Sequence, residues 1–394
     1  MQQERGGKMN QTKQMHPTSR NKTKRVKTDR YDFGLLFVVL TLVLFGVVMI
    51  FSASYYTTMS SEIYNYDMFY YLKRQGLWAV LGTIGMFVAM NIPYQFWKRM
   101  APLAYILSNL ILLALPFIGA EKKGQVRWIE IGPMQFQPSE FTKLAVILFL
   151  SVYIINHRKD LANVVGFVKA CLVLGIPVGL IALTNFSTAL LLLLVGLTML
   201  FIASPKIWYF VAGGLALIPI GAILIIPEKF RYRLERITTW LDPWSDPTDS
   251  GFQTIQSLYA VASGGLFGVG LGQSRQKSFI PEAHNDIIFA IICEELGLIG
   301  AALVVVLFAV LVWRGIRIAI NARDNFGMLV ATGISATIAF QSLINIGVVT
   351  NTIPNTGQPL PFISYGGTSL VFTMGMMGIL LNISKYPKDL KNTE

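Results

Sequence analysis

The sequence predicts an all-α polytopic integral membrane protein. It should have about ten transmembrane helices, both termini cytoplasmic, and a large extracytoplasmic loop between helices 7 and 8. Three observations predict it. First, 53% of the 394 residues are hydrophobic and only 14% are charged, with a mean hydropathy of +0.54. A soluble domain of this size needs far more polar surface, so a bilayer must be part of the solvent. Second, ten apolar runs approach the roughly twenty residues needed to cross about 30 Å of hydrocarbon. Third, cationic residues gather in alternate short loops, as the positive-inside rule requires of one membrane face.

In chain order, residues 1–31 come first, with Lys8, Lys13, Arg20, Lys22, Lys24, Arg25, Lys27 and Arg30 and few acids. Such a segment reads as a disordered cytoplasmic tail near anionic headgroups. Concentration of the charge there argues against nucleic acid as the reason for the net +12. The membrane domain follows over 32–386. Its spans are expected at Phe33–Ser54, Gly76–Ile92, Pro102–Ile118, Ser139–Ile155, Val164–Leu183, Thr188–Ala203, Trp208–Ile226, Ile287–Trp313, Phe326–Val349 and Thr368–Ile383. The first is full length and lacks a small-residue cleavage site, which makes it an anchor and not a removable signal. Lys98, Arg99, Arg158, Lys159, Lys206, Arg314, Arg317 and Arg323 then share a face with the N-terminus, as do Lys385, Lys388 and Lys391 around the 387–394 tail. Nine or eleven spans would break that pattern. Cys171 and Cys293, far apart and without CxxC spacing, read as small buried hydrophobes.

Two connectors on the opposite face are unlike ordinary loops. One is Gly119–Gln137. The other, 227–286, is too long for a compact connection, and its aromatic content (Phe230, Tyr232, Trp240, Trp244, Phe252, Tyr259, Phe267) predicts short interfacial helices.

Ionisable groups at membrane depth are functional candidates. Glu140 and Lys143, three residues apart, can pair on one helix face. The pair fits either a structural link or a cation presented to a polar cavity. The run Gly264-Gly265-Leu266-Phe267-Gly268-Val269-Gly270-Leu271-Gly272, followed by Arg275 and Lys277, could cradle phosphate. However, it lacks Walker spacing and a preceding strand, so close helix packing explains the glycines better. Asp242, Asp246 and Asp249 sit in turn chemistry beside Pro or Gly. Asp286 stands where an aqueous loop enters an apolar helix, next to His284. It could serve as a general base or as a helix cap. No second His, Cys or carboxylate gives His284 a zinc pattern.

Further motifs are Arg127-Trp128-Ile129, Gln137-Pro138-Ser139-Glu140 with Lys143, Leu241-Asp242-Pro243, Gly251-Phe252-Gln253, Pro281-Glu282-Ala283-His284-Asn285-Asp286, Glu294-Glu295-Leu296-Gly297 and Pro361-Phe362-Ile363-Ser364-Tyr365-Gly366-Gly367. In this order, from Asp32 to Tyr386, the chain resembles the SEDS family of bacterial wall growth, the FtsW, RodA and SpoVE group. The resemblance implies a ten-helix fold and peptidoglycan glycosyltransferase activity on lipid II at the outer face of the bacterial cytoplasmic membrane. The family's essential acid falls on Asp286, its membrane ion pair on Glu140 and Lys143, and its essential Trp on Trp128. Arg127, Trp128, Gln253, Arg275, Lys277 and His284 become candidate substrate contacts. Residues 273–277 and 350–357 look more like the division and sporulation members than the rod-shape member. The family's usual Glu/Gln-Pro-Asp-like step into the sixth span is replaced here by Leu183-Thr184-Asn185, and Cys293 stands where Gly or Ala is common. No cofactor is required by the sequence, and a divalent cation stays open. The implied partner is a single-span class B penicillin-binding transpeptidase. A lipid II flippase and a scaffold for other wall enzymes are the rival functions, and lateral-wall or spore-cortex synthesis are rival settings for the same chemistry.

Overall fold

A computed structural model describes residues 30–122, 125–132, 134–214 and 231–388. The expected disorder of the basic tail, most of the seventh span, and the last six residues lie outside them. Nine of the ten expected spans coincide with helices among the described residues: α1 (Phe33–Met59), α2 (Tyr70–Asn91), α3 (Tyr94–Ile118), α4 (Pro138–Asn156), α5 (Val164–Ala182), α6 (Phe186–Ala203), α9 (Ile288–Ile320), α10 (Asn325–Val349) and α11 (Gly367–Ser384). The seventh is helical over 208–214, where the described residues stop. Helices are the form that satisfies every backbone group within one segment, which hydrocarbon demands.

Eight of these are long and apolar enough to cross a bilayer, so the chain is a multi-pass membrane protein. Absent from the eight is α2, whose first turns carry Lys73, Arg74 and Gln75. Local signals set several helix starts. The side chains of Asp32, Asn185 and Asp324 accept from the backbone N–H groups of Leu35 (2.8 Å), Thr188 (3.2 Å) and Gly327 (2.8 Å), and Pro138 opens α4.

Burial sorts the helices into an inner and an outer set. In α4 and α10, 67% of the best spanning window is buried, against 22% in α3 and 28% in α9. The chemistry-bearing polar residues of α4 therefore lie in the middle of the bundle. Small residues allow the tightest crossings. Gly378 of α11 packs on the Met86 carbonyl of α2, Gly82 of α2 on Met374, and Gly367 on the Trp78 ring.

The two unusual connectors fold on their own terms. The first is a three-stranded antiparallel sheet, β1 (Ala120–Lys122), β2 (Gln125–Ile131) and β3 (Met134–Phe136), with Ala120 opposite Trp128 and Ile129 opposite Phe136. The all-helical expectation omits it, although Val126, Trp128 and Glu130 alternate with Arg127, Ile129 and Ile131 as strand residues can. Within the second, α7 (Arg231–Leu241) and α8 (Phe252–Ser263) are the expected short helices. Trp240, on α7, donates its indole N–H to the Asn351 carbonyl at 3.0 Å.

The glycine run is spent on backbone contact. A run with so many glycines can approach another main chain closely, and here it lies against a break in α9. Val269 and Gly270 N–H donate to the carbonyls of Glu294 (2.9 Å) and Glu295 (3.0 Å), and Leu298 and Ile299 N–H return bonds to Gly265 and Leu266. At the break Gly297 takes φ 66° and ψ −167°, a region essentially reserved for glycine. A Cβ there would lie 2.3 Å from the Gly268 nitrogen. Gly297→Ala is therefore expected to destabilise the protein by at least about 3 kcal/mol, read as a lowered thermal midpoint in detergent, because strain and overlap act together.

Candidate active site

Asp286 stands two residues before α9, at the end of the long connector, with a partly buried side chain. The N-cap position of α9 belongs to Ile287, so Asp286 is not the capping residue. Its backbone carbonyl accepts a 2.7 Å bond from Asn345 Nδ2 of α10. Its Oδ2 lies 3.5 Å from where a Cβ on Gly357 would project, so that glycine leaves room beside the carboxylate.

The segment leading to it is firmly held. His284 is buried, its ring 4.1 Å from that of Tyr71 and 5.6 Å from that of Tyr365, and its carbonyl accepts from Tyr365 N–H at 2.9 Å. A histidine packed against two aromatic rings in this way orients the segment. Glu282, at φ 52°, accepts from Asn285 Nδ2 at 2.7 Å.

A chain of buried polar groups runs from Asp286 into the bundle. Besides Asp286, Asn345 Nδ2 donates to the Gln358 carbonyl (2.8 Å), and Gln358 Nε2 donates to Thr188 Oγ1 of α6 (3.0 Å). One turn earlier on α10, Gln341 donates to the Pro359 carbonyl (3.0 Å) and accepts from Lys143 Nζ at 3.5 Å. Lys143 in turn pairs with Glu140 Oε1 at 2.9 Å, the two side chains being only 2% and 5% exposed. An ion pair this buried is strongly coupled to its surroundings. The other oxygen of Glu140, Oε2, and Asn345 Oδ1 are buried without a hydrogen-bond partner among the described residues. Buried acceptors left in this state mark places where a hydroxyl or water can add.

The other candidates separate into two groups. Gln253 of α8 joins the neighbourhood, since its Oε1 accepts from Asn355 Nδ2 at 3.2 Å. Asn355 Oδ1 accepts from Gly357 N–H at 3.1 Å, and its carbonyl accepts from Arg236 Nη1 at 3.1 Å. Arg127, half-buried on β2, donates Nε to the Thr184 carbonyl at 3.0 Å, and Trp128 lies beside it, partly buried. Arg275 is exposed.

Lys277 lies instead in a separate buried cluster. Its ammonium meets Glu295 Oε1 (3.2 Å), the Gly272 carbonyl (2.6 Å) and the Tyr55 ring face (4.5 Å), which occupies it fully. Neighbouring Glu294 takes the Ser274 hydroxyl and the N–H groups of Arg275 (3.0 Å) and Gln276 (3.4 Å), while Ser52 of α1 donates to Glu295. These two carboxylates fasten residues 274–277 to α9.

Asp242 and Asp246 of the connector are engaged in turns. Asp242 accepts from Trp244 N–H at 3.1 Å. Asp246 accepts from both the N–H and the hydroxyl of Ser250 at 3.1 Å, and these bonds hold its carboxyl below the usual range. A carboxylate stabilised in its charged form is a poor proton acceptor. Among the described residues no three His, Cys, Asp or Glu side chains converge as metal ligands.

Sequence reasoning passed over Gln341 and Asn345. Their signal was present: two amides one helical turn apart in a span otherwise made of apolar and small residues. Glu294 and Glu295 were noticed only as part of a motif.

Comparison with known proteins bears on this arrangement. A family model described as cell cycle protein, for the FtsW, RodA and SpoVE group, matches residues 33–389. Stage V sporulation protein E of Bacillus subtilis (strain 168) is 44% identical over 370 residues, 92% of this chain and 99% of the relative. A probable peptidoglycan glycosyltransferase FtsW of Geobacter sp. (strain M18) is 41% identical over 364 residues, covering 91% and 98%. Among solved structures, a chain from a peptidoglycan synthase complex described as coordinating polymerization and crosslinking superposes with a TM-score of 0.75 at 27% identity, covering 90% of this chain and 97% of that one. The rod shape determining protein RodA of Thermus thermophilus gives 0.65 at 26% identity, covering 90% and 96%. This chain belongs to the FtsW/RodA/SpoVE family of cell cycle proteins.

Proposed function

We propose that the chain is a peptidoglycan glycosyltransferase that polymerises lipid II at the outer face of the bacterial cytoplasmic membrane during cell division, with Asp286 as general base. The observation that carries the reading is the placement of Asp286: a partly buried carboxylate at the mouth of α9, with space beside it at Gly357 and a polar chain behind it. Membership in a family whose relatives are named as probable glycosyltransferases supports the chemistry.

Asp286 removes the proton from the 4-hydroxyl of the acceptor sugar. The freed oxygen forms a bond to the anomeric carbon of the donor as the bond from that carbon to the lipid diphosphate breaks. Diphosphate leaves with its electron pair as a stable anion, so the step asks for cations near the leaving group more than for a protonating acid. Exposed Arg275 and half-buried Arg127 are proposed for that task, while Lys143 acts from within its pair with Glu140. Polyprenyl chains remain in lipid, and the sugars reach the aqueous connector. A class B penicillin-binding transpeptidase is the proposed partner, in keeping with the peptidoglycan synthase complex, one chain of which superposes here.

The test is a liposome assay with labelled lipid II, the purified chain and candidate transpeptidases. Glycan polymer that depends on the chain is the expected product. Labelled lipid II that crosses the bilayer while remaining monomeric would establish the flippase in its place. The 44% identity to a sporulation protein favours a second setting for the same chemistry, and a fluorescent fusion found at the spore and not the septum would select it.

A further inference from the structure

A cavity among the described residues lies far from Asp286, at the opposite, basic end of the bundle. Its volume is about 480 Å³, and it sits where the start of α1 meets the last turns of α9 and α11. Chain geometry keeps this place open. Asp32 is fixed twice, accepting from Arg314 Nη1 at 2.6 Å and donating its N–H to Ser384 Oγ at 3.0 Å, and the Arg314 guanidinium lies over Gly34. Arg314 is thus neutralised and spent on structure.

Arg30 and Arg317 also line the cavity, and among the described residues neither is in an ion pair. Arg317 rests 4.0 Å over the Trp313 ring, and Lys385 lies 5.2 Å over the ring of Tyr31, itself a wall of the cavity. Among the described residues the site therefore holds two arginines without an acid in ion-pair contact.

The cavity's outer rim is apolar. Phe33, which lines it, is 63% exposed, and Ile316 and Ile320 on the same turns of α9 are 48% and 71% exposed. A cationic recess at helix ends with a greasy apron beside it matches one kind of ligand: a phosphate diester carrying acyl chains. Basic pockets between helices at this depth are suited to acidic lipid headgroups, and Trp and Tyr at the same level fit the interface.

We propose that this recess is a binding site for an anionic phospholipid. Its phosphate sits between Arg30 and Arg317, and its acyl chains lie along the exposed faces of α1 and α9. The proposal is independent of the polymerase reading, because its readout is lipid retention.

The test uses the full chain in neutral detergent, titrated with phosphatidylglycerol or phosphatidylcholine of matched acyl chains and observed by native mass spectrometry. Phosphatidylglycerol is expected to be retained preferentially. Arg317→Gln should lower that retention about fivefold and Arg30→Gln with Arg317→Gln about 25-fold, at roughly one favourable unit of interaction per cation near a lipid surface. Arg323→Gln, on the same face but outside the cavity, should change nothing. Unchanged thermal midpoints show that the variants remain folded. Equal loss in Arg323→Gln would reduce the effect to general surface charge and overturn the site. Displacement of the lipid by excess inorganic phosphate would overturn the role of the acyl chains, and identical retention of the two lipids would overturn the proposal altogether.

Discussion

Asp286→Asn is expected to lower the rate of lipid II polymerisation by roughly a hundredfold to ten-thousandfold, the usual contribution of a positioned general base. The substitution is well suited to separate chemistry from folding. The link from Asp286 to α10 runs through its backbone carbonyl, which Asn345 holds at 2.7 Å, so exchanging the side chain leaves that link in place. Loss of thermal stability should therefore stay near the typical cost of a single substitution, about 1 kcal/mol. Asp246→Asn is the matched control. Its carboxyl is engaged by Ser250 and held below its ordinary range, so it offers little basicity, and near-parental turnover is expected. Full activity in Asp286→Asn together with loss in Asp246→Asn would move the base into the α7–α8 turn.

What the sequence revealed, and what it hid, follows from the range of the physics involved. A run of some twenty apolar residues has one stable form in hydrocarbon, so nine spans could be located, although the helices begin well before the expected starts of the second and third and end well after the expected end of the eighth. Asp286 and the Glu140–Lys143 pair were legible for a related reason, because charge inside or beside such a run is costly and stands out. The fate of Lys277 was not legible. Along the chain it differs little from Arg275, two residues before it, yet one is exposed and the other is buried against Glu295. The difference is made by a contact 18 residues away, and by a break at Gly297 in α9 that nothing in the run sets apart from its other glycines, Gly300 and Gly315. Trp240 likewise finds the acceptor for its indole N–H, the Asn351 carbonyl, only in a distant loop. Short-range pattern located the elements. Long-range pairing decided which polar groups were left with work to do at the site.

The second large effect concerns Lys143. Lys143→Met should destabilise the folded protein by about 3–5 kcal/mol, since it strands the Glu140 carboxylate in a site where the side chain is only 5% exposed. Replacing both members, Glu140→Gln with Lys143→Met, removes the stranded charge. It should recover most of that loss, because apolar or neutral substitutes for a buried pair are often close to neutral. Folded yield and thermal midpoints in detergent for the two single variants and the double give the coupling between the side chains directly. Activity then separates two roles that stability alone leaves mixed. Lys143 also touches Gln341, and through Pro359 and Gln358 that contact continues to Asn345 and the backbone of Asp286. If the pair sets the position of that chain, the refolded double variant should still polymerise lipid II slowly. A double variant that regains both its stability and its parental rate would make the pair a packing element alone, and would detach α4 from the chemistry at α9.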